Sequence, residues 1–163
     1  MKCLKVTVYT DGSFTGMTKG IRKTRGGWAF YLKEFDILKS GNNCNKPGMT
    51  NNFMELRAIY KAFEFLSSTS TETHIDLHTD SMTCKFWLEN EKTRGKKIGQ
   101  DTLVLIQKTK NLMNRFSGVK IYHVKAHTSG ENKHSIGNRI VDIAAGKASK
   151  QCTVKQKASS AKI

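Results

Sequence analysis

The hydrophobic period of this chain changes partway along its length, and that change restricts the fold more than any single residue does. Lys5-Val6-Thr7-Val8-Tyr9-Thr10 alternates as a half-buried strand does and runs into Asp11-Gly12-Ser13, a turn signal. Gly27 to Leu32 reads as a second strand, and Ile37 to Ser40 as a short third ending at Gly41-Asn42-Asn43. The spacing then becomes helical: Leu56, Ile59, Tyr60, Phe63 and Leu66 predict a helix from Asn52 to Leu66. Ile75 to Thr79 alternates again and reaches Asp80-Ser81, followed by a short helix over Met82 to Glu89. Leu105, Ile106, Leu112, Met113 and Phe116 mark a further helix, Val119 to Val124 a fifth strand, and Asn138 to Lys150 a last helix. Strands joined by turns, then strands joined through helices, predict an α/β domain built on a mixed sheet. Residues 1–150 read as this single domain, and 151–163 as a basic, flexible tail without period.

Charge narrows the partner. Lys and Arg number 28 against 13 acids, for a net charge of +15. The basic residues concentrate in Lys19 to Arg25, in Lys92, Arg94, Lys96 and Lys97, and in the tail, which favours a phosphate backbone as partner. An anionic membrane surface is less suited, because no amphipathic helix pairs apolar bulk with these lysines. No run approaches the ~18 apolar residues of a membrane helix, and the first residues lack the apolar stretch of a signal peptide. Cys3, Cys44, Cys84 and Cys152 have no zinc spacing and read as reduced thiols, so an intracellular, reducing compartment (cytoplasm or nucleus) is expected.

In so basic a chain, four acids stand at element ends: Asp11, Glu55, Asp80 and Asp142. Each has an ordinary explanation. Asp11 before Gly-Ser suits an Asx-turn, and Glu55 three residues after Asn52 suits a capping box. Asp80 suits an N-cap, and Asp142 the dipole at a helix start. Jointly they suggest more. The strands ending in Asp11 and Asp80 read as adjacent and central, and sites collect at the carboxyl ends of such strands. Four converging carboxylates need divalent cations, and oxygen-only ligands favour Mg²⁺ or Mn²⁺.

YTDGS (Tyr9 to Ser13), TNNFMEL (Thr50 to Leu56), HTDS (His78 to Ser81) and VKAH (Val124 to His127) followed by IGNRIVD (Ile136 to Asp142) resemble type I ribonuclease H. The resemblance covers about Val6 to Ala148. It implies a ribonuclease H-like fold, a five-stranded mixed sheet flanked by helices on both faces. It also implies endonucleolytic hydrolysis of the RNA strand of RNA/DNA hybrids by two metal ions, leaving 5′-phosphate and 3′-hydroxyl ends. Two Mg²⁺ ions, replaceable by Mn²⁺, are the implied cofactors, with no small-molecule cofactor, no membrane partner and a monomeric enzyme.

By the same resemblance, Asp11, Glu55, Asp80 and Asp142 are the catalytic metal ligands and His127 the histidine assisting proton movement or product departure, with His134 a rival. Gly12, Ser13, Thr50, Asn51, Asn52, Met82 and Asn138 are implied to bind substrate; the Asn amides suit base edges and the 2′-hydroxyl. Trp87, Lys92, Arg94, Lys96 and Lys97 are candidate DNA-strand contacts, with Trp87 also suited to the core. The chain departs from the family in a shortened basic segment over Trp87 to Gly99, a longer His127–Asp142 spacing, and glycine at position 48, where Lys46 could substitute for a phosphate-binding arginine. Two other readings are a nucleic-acid-binding module with weak catalysis and the detached nuclease domain of a reverse transcriptase.

Overall fold

The change of period translates directly into the sheet. The computed structural model describes residues 3–16, 24–44, 49–91, 98–125 and 133–160, with side chains of the last segment described over 136–152. Its strands are β1 (Leu4–Thr15), β2 (Arg25–Leu32), β3 (Ile37–Cys44), β4 (Thr73–Thr79) and β5 (Gly118–His123). Its helices are α1 (Asn51–Ser67), α2 (Met82–Glu89), α3 (Gln100–Met113) and α4 (Lys133–Ser160). The sheet order is β3-β2-β1-β4-β5. The pairs β1–β2 and β2–β3 are antiparallel, and the pairs β1–β4 and β4–β5 are parallel. This is the expected five-stranded mixed sheet.

Strand parity divides the core in two. Val6 and Val8 are fully buried and join Phe30, Leu56, Ile59, Phe63 and Leu77 in the main core, which also takes in Leu105 and Ile106 of α3. Tyr9 points the other way, into a smaller cluster with Ala29, Val141 and Ala145 of α4. Each large aliphatic or aromatic side chain buried this way contributes about 1.5–3 kcal/mol.

Several boundaries differ from expectation. Strand β1 does not turn at Asp11 but continues to Thr15, because Asp11 and Gly12 pair with Ala29 and Trp28 of β2. Strand β3 likewise runs on to Cys44. Helix α4 starts at Lys133, ahead of the predicted Asn138, and extends to Ser160, so the expected flexible tail begins as helix. Much of the long His127–Asp142 spacing is therefore helical.

Helix α4 lies against β1, β2 and β3. A Cβ on Gly27 would overlap the Ala145 carbonyl, so glycine is what lets α4 rest on the β2 backbone. Asn42 Nδ2 donates to the Ala148 carbonyl at 3.1 Å. One turn further, Cys44 and Cys152 form a disulfide, with Cα atoms 5.6 Å apart. The reduced-thiol expectation is corrected at these two positions, and the reducing-compartment expectation loses the support it drew from them. The pair is separated by 108 residues, and only the docking of α4 on the edge strand brings the thiols together. Cys3 and Cys84 are free. No described helix is long and apolar enough to cross a membrane.

A crosslink closing so long a loop restricts the unfolded chain, and its loss should cost about 2–4 kcal/mol. Cys152→Ser and reduced wild-type protein should therefore melt at similar, lowered temperatures. Thiol titration of unreduced, denatured protein should count Cys3 and Cys84 only; four free thiols would refute the bond.

Candidate active site

The parallel pairing of β1 with β4 ends at Tyr9 opposite His78, while β1 continues against β2 alone. A cleft opens where the two strands part, and Asp11 from β1 and Asp80 from the β4–α2 connection both line it. The third acid comes from α1. A Cβ on Gly12 would overlap the backbone of Met54 and Glu55, so the bare glycine lets the first turns of α1 press on β1. That contact carries Glu55 to Asp11: carboxylate oxygens of Asp11, Glu55 and Asp80 all lie within 4.8 Å of one another.

The ordinary roles open to these acids are filled by other residues. Thr50 caps α1, its hydroxyl accepting from Phe53 N–H at 3.1 Å, so Asn52 is not the N-cap and Glu55 closes no capping box. Ser81 caps α2, accepting from Cys84 N–H at 3.1 Å, which leaves Asp80 outside the cap. Asp11 lies within a paired strand, where its Oδ1 accepts from the Gly12 N–H at 2.9 Å. Asp142 is well inside α4, beyond the reach of its N-terminal dipole.

Burial makes the cluster costly without counter-charge. Asp11 and Glu55 are each 4 % exposed. Burial above all, with the Asp80 charge and Asp142 adding, pushes the Asp11 carboxyl up to about 8, although its hydrogen bond with Glu55 opposes the rise. Glu55 is pushed well above the usual carboxylate range, by burial first and then by Asp11 and Asp80. Its Oε2 is buried and receives no hydrogen bond among the described residues. Crowded oxygen donors with an unsatisfied lone pair fit a hard divalent cation. Asp142 lines the same cleft, and its side chain is exposed.

The cleft, about 540 Å³, also gathers Gly12, Ser13, Asn51, Asn52 and Met82 from the sequence-derived set. Met82 is 59 % exposed at its rim. Thr50 acts as the α1 cap, outside the lining. Asn138 is 9 % exposed and is not among the residues that line this cleft. Trp87, open from the sequence between a DNA-strand contact and the core, packs in the main core at 8 % exposure, and the neighbouring Phe86 is the exposed aromatic of α2. His127, Lys46, Lys92, Arg94, Lys96 and Lys97 lie outside the described residues, and His134 falls in α4. Sequence reading missed Phe14, Ser81 and Thr83 as lining residues. Phe14 would have been found had the alternation of β1 been carried through Asp11-Gly12-Ser13.

Two predictions follow from this packing. Gly12→Ala should cost about 1–3 kcal/mol, as overpacking does, and should displace Glu55; unchanged melting would contradict the close approach. The second concerns pH. Asp11 ionises near 3.8 when free and at about 8 when folded, so the folded state holds the extra proton between those values. The ion-free protein should therefore lose stability as pH rises from about 4 to about 8. Asp11→Asn should remove the part of that loss due to Asp11, with Glu55 keeping its own, and in EDTA at pH 8 should melt about 5 °C above wild type. A lower melting temperature for the variant would show that the carboxylate is not destabilising.

A model of the RNase H family matches residues 4–150. A ribonuclease H of Ehrlichia canis is 34% identical over 149 residues, covering 86% of this chain and 92% of that one. A ribonuclease H of Ruthia magnifica is 32% identical over 152 residues, covering 89% and 98%. The fold is similar to that of RNase H1 from Halobacterium salinarum, with a TM-score of 0.60 and 21% identity, covering 88% of this chain and 96% of that one. It is also similar to part of the prototype foamy virus protease-reverse transcriptase, with a TM-score of 0.69 and 18% identity, covering 88% of this chain and 20% of that one. With the acids brought to the place where the motifs put them and a family model matching nearly the whole chain, this protein belongs to the RNase H family.

Proposed function

We propose that this protein hydrolyses the RNA strand of RNA/DNA hybrids endonucleolytically, leaving 5′-phosphate and 3′-hydroxyl ends. The observation that carries the reading is the joining of Asp11, Glu55 and Asp80 with Asn51 and Asn52 in one open cleft. Carboxylates alone would serve any phosphodiester; the paired amides beside them add recognition of the 2′-hydroxyl, the group that separates RNA from DNA.

Asp11, Glu55 and Asp80, with Asp142 at the rim, would hold two Mg²⁺ or Mn²⁺ ions. Such ions supply Lewis acidity for an attacking water and a departing oxygen. The chain's own groups do the rest. Asn51 and Asn52 hold the hybrid in register, while Gly12 and Ser13 lie along the RNA strand and Met82 meets it at the rim. His127 is proposed to move a proton or speed product departure, which a near-neutral imidazole suits. Lys92, Arg94, Lys96 and Lys97 are proposed to grip the DNA strand by its phosphates. A single chain supplies all four acids, which supports action as a monomer.

The test presents one labelled strand as RNA/DNA hybrid, duplex RNA, duplex DNA or single strand, with Mg²⁺ or EDTA. Cleavage should be confined to RNA in the hybrid and should stop in EDTA. Asp80→Asn should lower it by more than about a hundredfold, as loss of a charge-stabilising group does. Equal cutting of duplex DNA would overturn the substrate assignment. Hybrid binding without cleavage in saturating Mg²⁺ would reduce the protein to a binding module.

A further inference from the structure

Asp80, half-buried, is the one acid of the Asp11–Glu55–Asp80 cluster that belongs to no strand or helix, yet the backbone on both sides of it is tied down. On its N-terminal side, the Thr79 carbonyl accepts from Val124 N–H at 2.9 Å. On its C-terminal side, Ser81 N–H donates to the Thr79 hydroxyl at 3.1 Å. The remaining group of that second peptide is the Asp80 carbonyl, and it lies 3.2 Å from Nε2 of His123. His123 is the last residue of β5, opposite Thr79 at the final rung of the β4–β5 ladder. Its ring therefore continues the ladder one residue beyond the last backbone pair, onto the residue that carries the carboxylate.

From this geometry we propose that His123 is a positioning residue for Asp80. A carbonyl only accepts, so the contact requires hydrogen on Nε2 and, in the neutral ring, a lone pair on Nδ1. With both flanking peptides held, the φ and ψ of Asp80 are set, and so is the direction in which its carboxylate enters the triad. The side chain of His123 is exposed and belongs to neither core cluster, so packing alone does not account for its place. Nor does it line the cleft; it acts through the Asp80 backbone and touches no reacting atom.

The inference rests on the metal-dependent reading of the site, and its test separates the two. Mn²⁺ titrated by calorimetry into wild type, His123→Phe and His123→Gln reads binding without cleavage. A hydrogen bond of ordinary net strength corresponds to about three- to tenfold in affinity, so His123→Phe should bind Mn²⁺ that much more weakly. His123→Gln, which retains a donor, should recover most of the loss. Melting temperature and KM for the hybrid should barely move, and kcat of His123→Phe should fall at limiting Mg²⁺ and return at saturation. In the wild-type protein, ¹⁵N spectra of neutral His123 should show the Nε2–H tautomer. An Nδ1–H tautomer, or Mn²⁺ affinity equal in wild type and His123→Phe, would overturn the positioning role. A wild type that binds no Mn²⁺ would overturn the metal-dependent reading itself.

Discussion

Like charges held together in a half-dry cleft are the condition to which the rest of the molecule is fitted. Asp11, Glu55 and Asp80 share a space where burial first, and neighbouring carboxylates second, raise the cost of ionising Asp11 and Glu55. Left free, such groups would separate or be screened by water. Here they are held by the central strand, the first turns of the helix pressed on it, and a hydrogen-bonded connection after the neighbouring parallel strand. The main core, with Val6, Val8, Leu56, Ile59 and Leu77 fully buried, offsets that electrostatic cost.

The fourth acid is delivered differently. Asp142 comes from α4, across the sheet from α1, and its side chain stays exposed. Its position depends on how α4 seats on β2 and β3. The seating is set by the bare backbone at Gly27, by Asn42 donating to Ala148, and by the Cys44–Cys152 bond at the far end. Three acids are thus built into the sheet's own framework, and one is placed by a docked helix whose anchor lies three turns away. Site geometry and global stability are joined through that helix.

The departures from the sequence reading share a cause. Asp11-Gly12-Ser13 favours a turn because of its glycine and aspartate, but pairing with β2 overrides a local propensity that is worth little on its own. Asn52 has the spacing of a cap, three residues before Glu55. Thr50 is the cap, two residues earlier, and that removes Glu55's structural alternative. Trp87 could be assigned either way from its helix, and the packing of α2 against the main core decided for burial.

Local pattern determined a good deal. The two hydrophobic periods point to the mixed sheet, and the motif order picks out acids and an asparagine pair that line one cleft, because chemistry of this kind depends on residue type and on where an element ends. Convergence was beyond it. That Asp11, Glu55 and Asp80 meet within 4.8 Å, that Cys44 finds Cys152, and that His123 reaches the Asp80 carbonyl all depend on contacts between residues far apart in the chain. Such contacts leave no local periodic trace. They exist only once a glycine has let a helix touch a strand, or once two strands have settled their register.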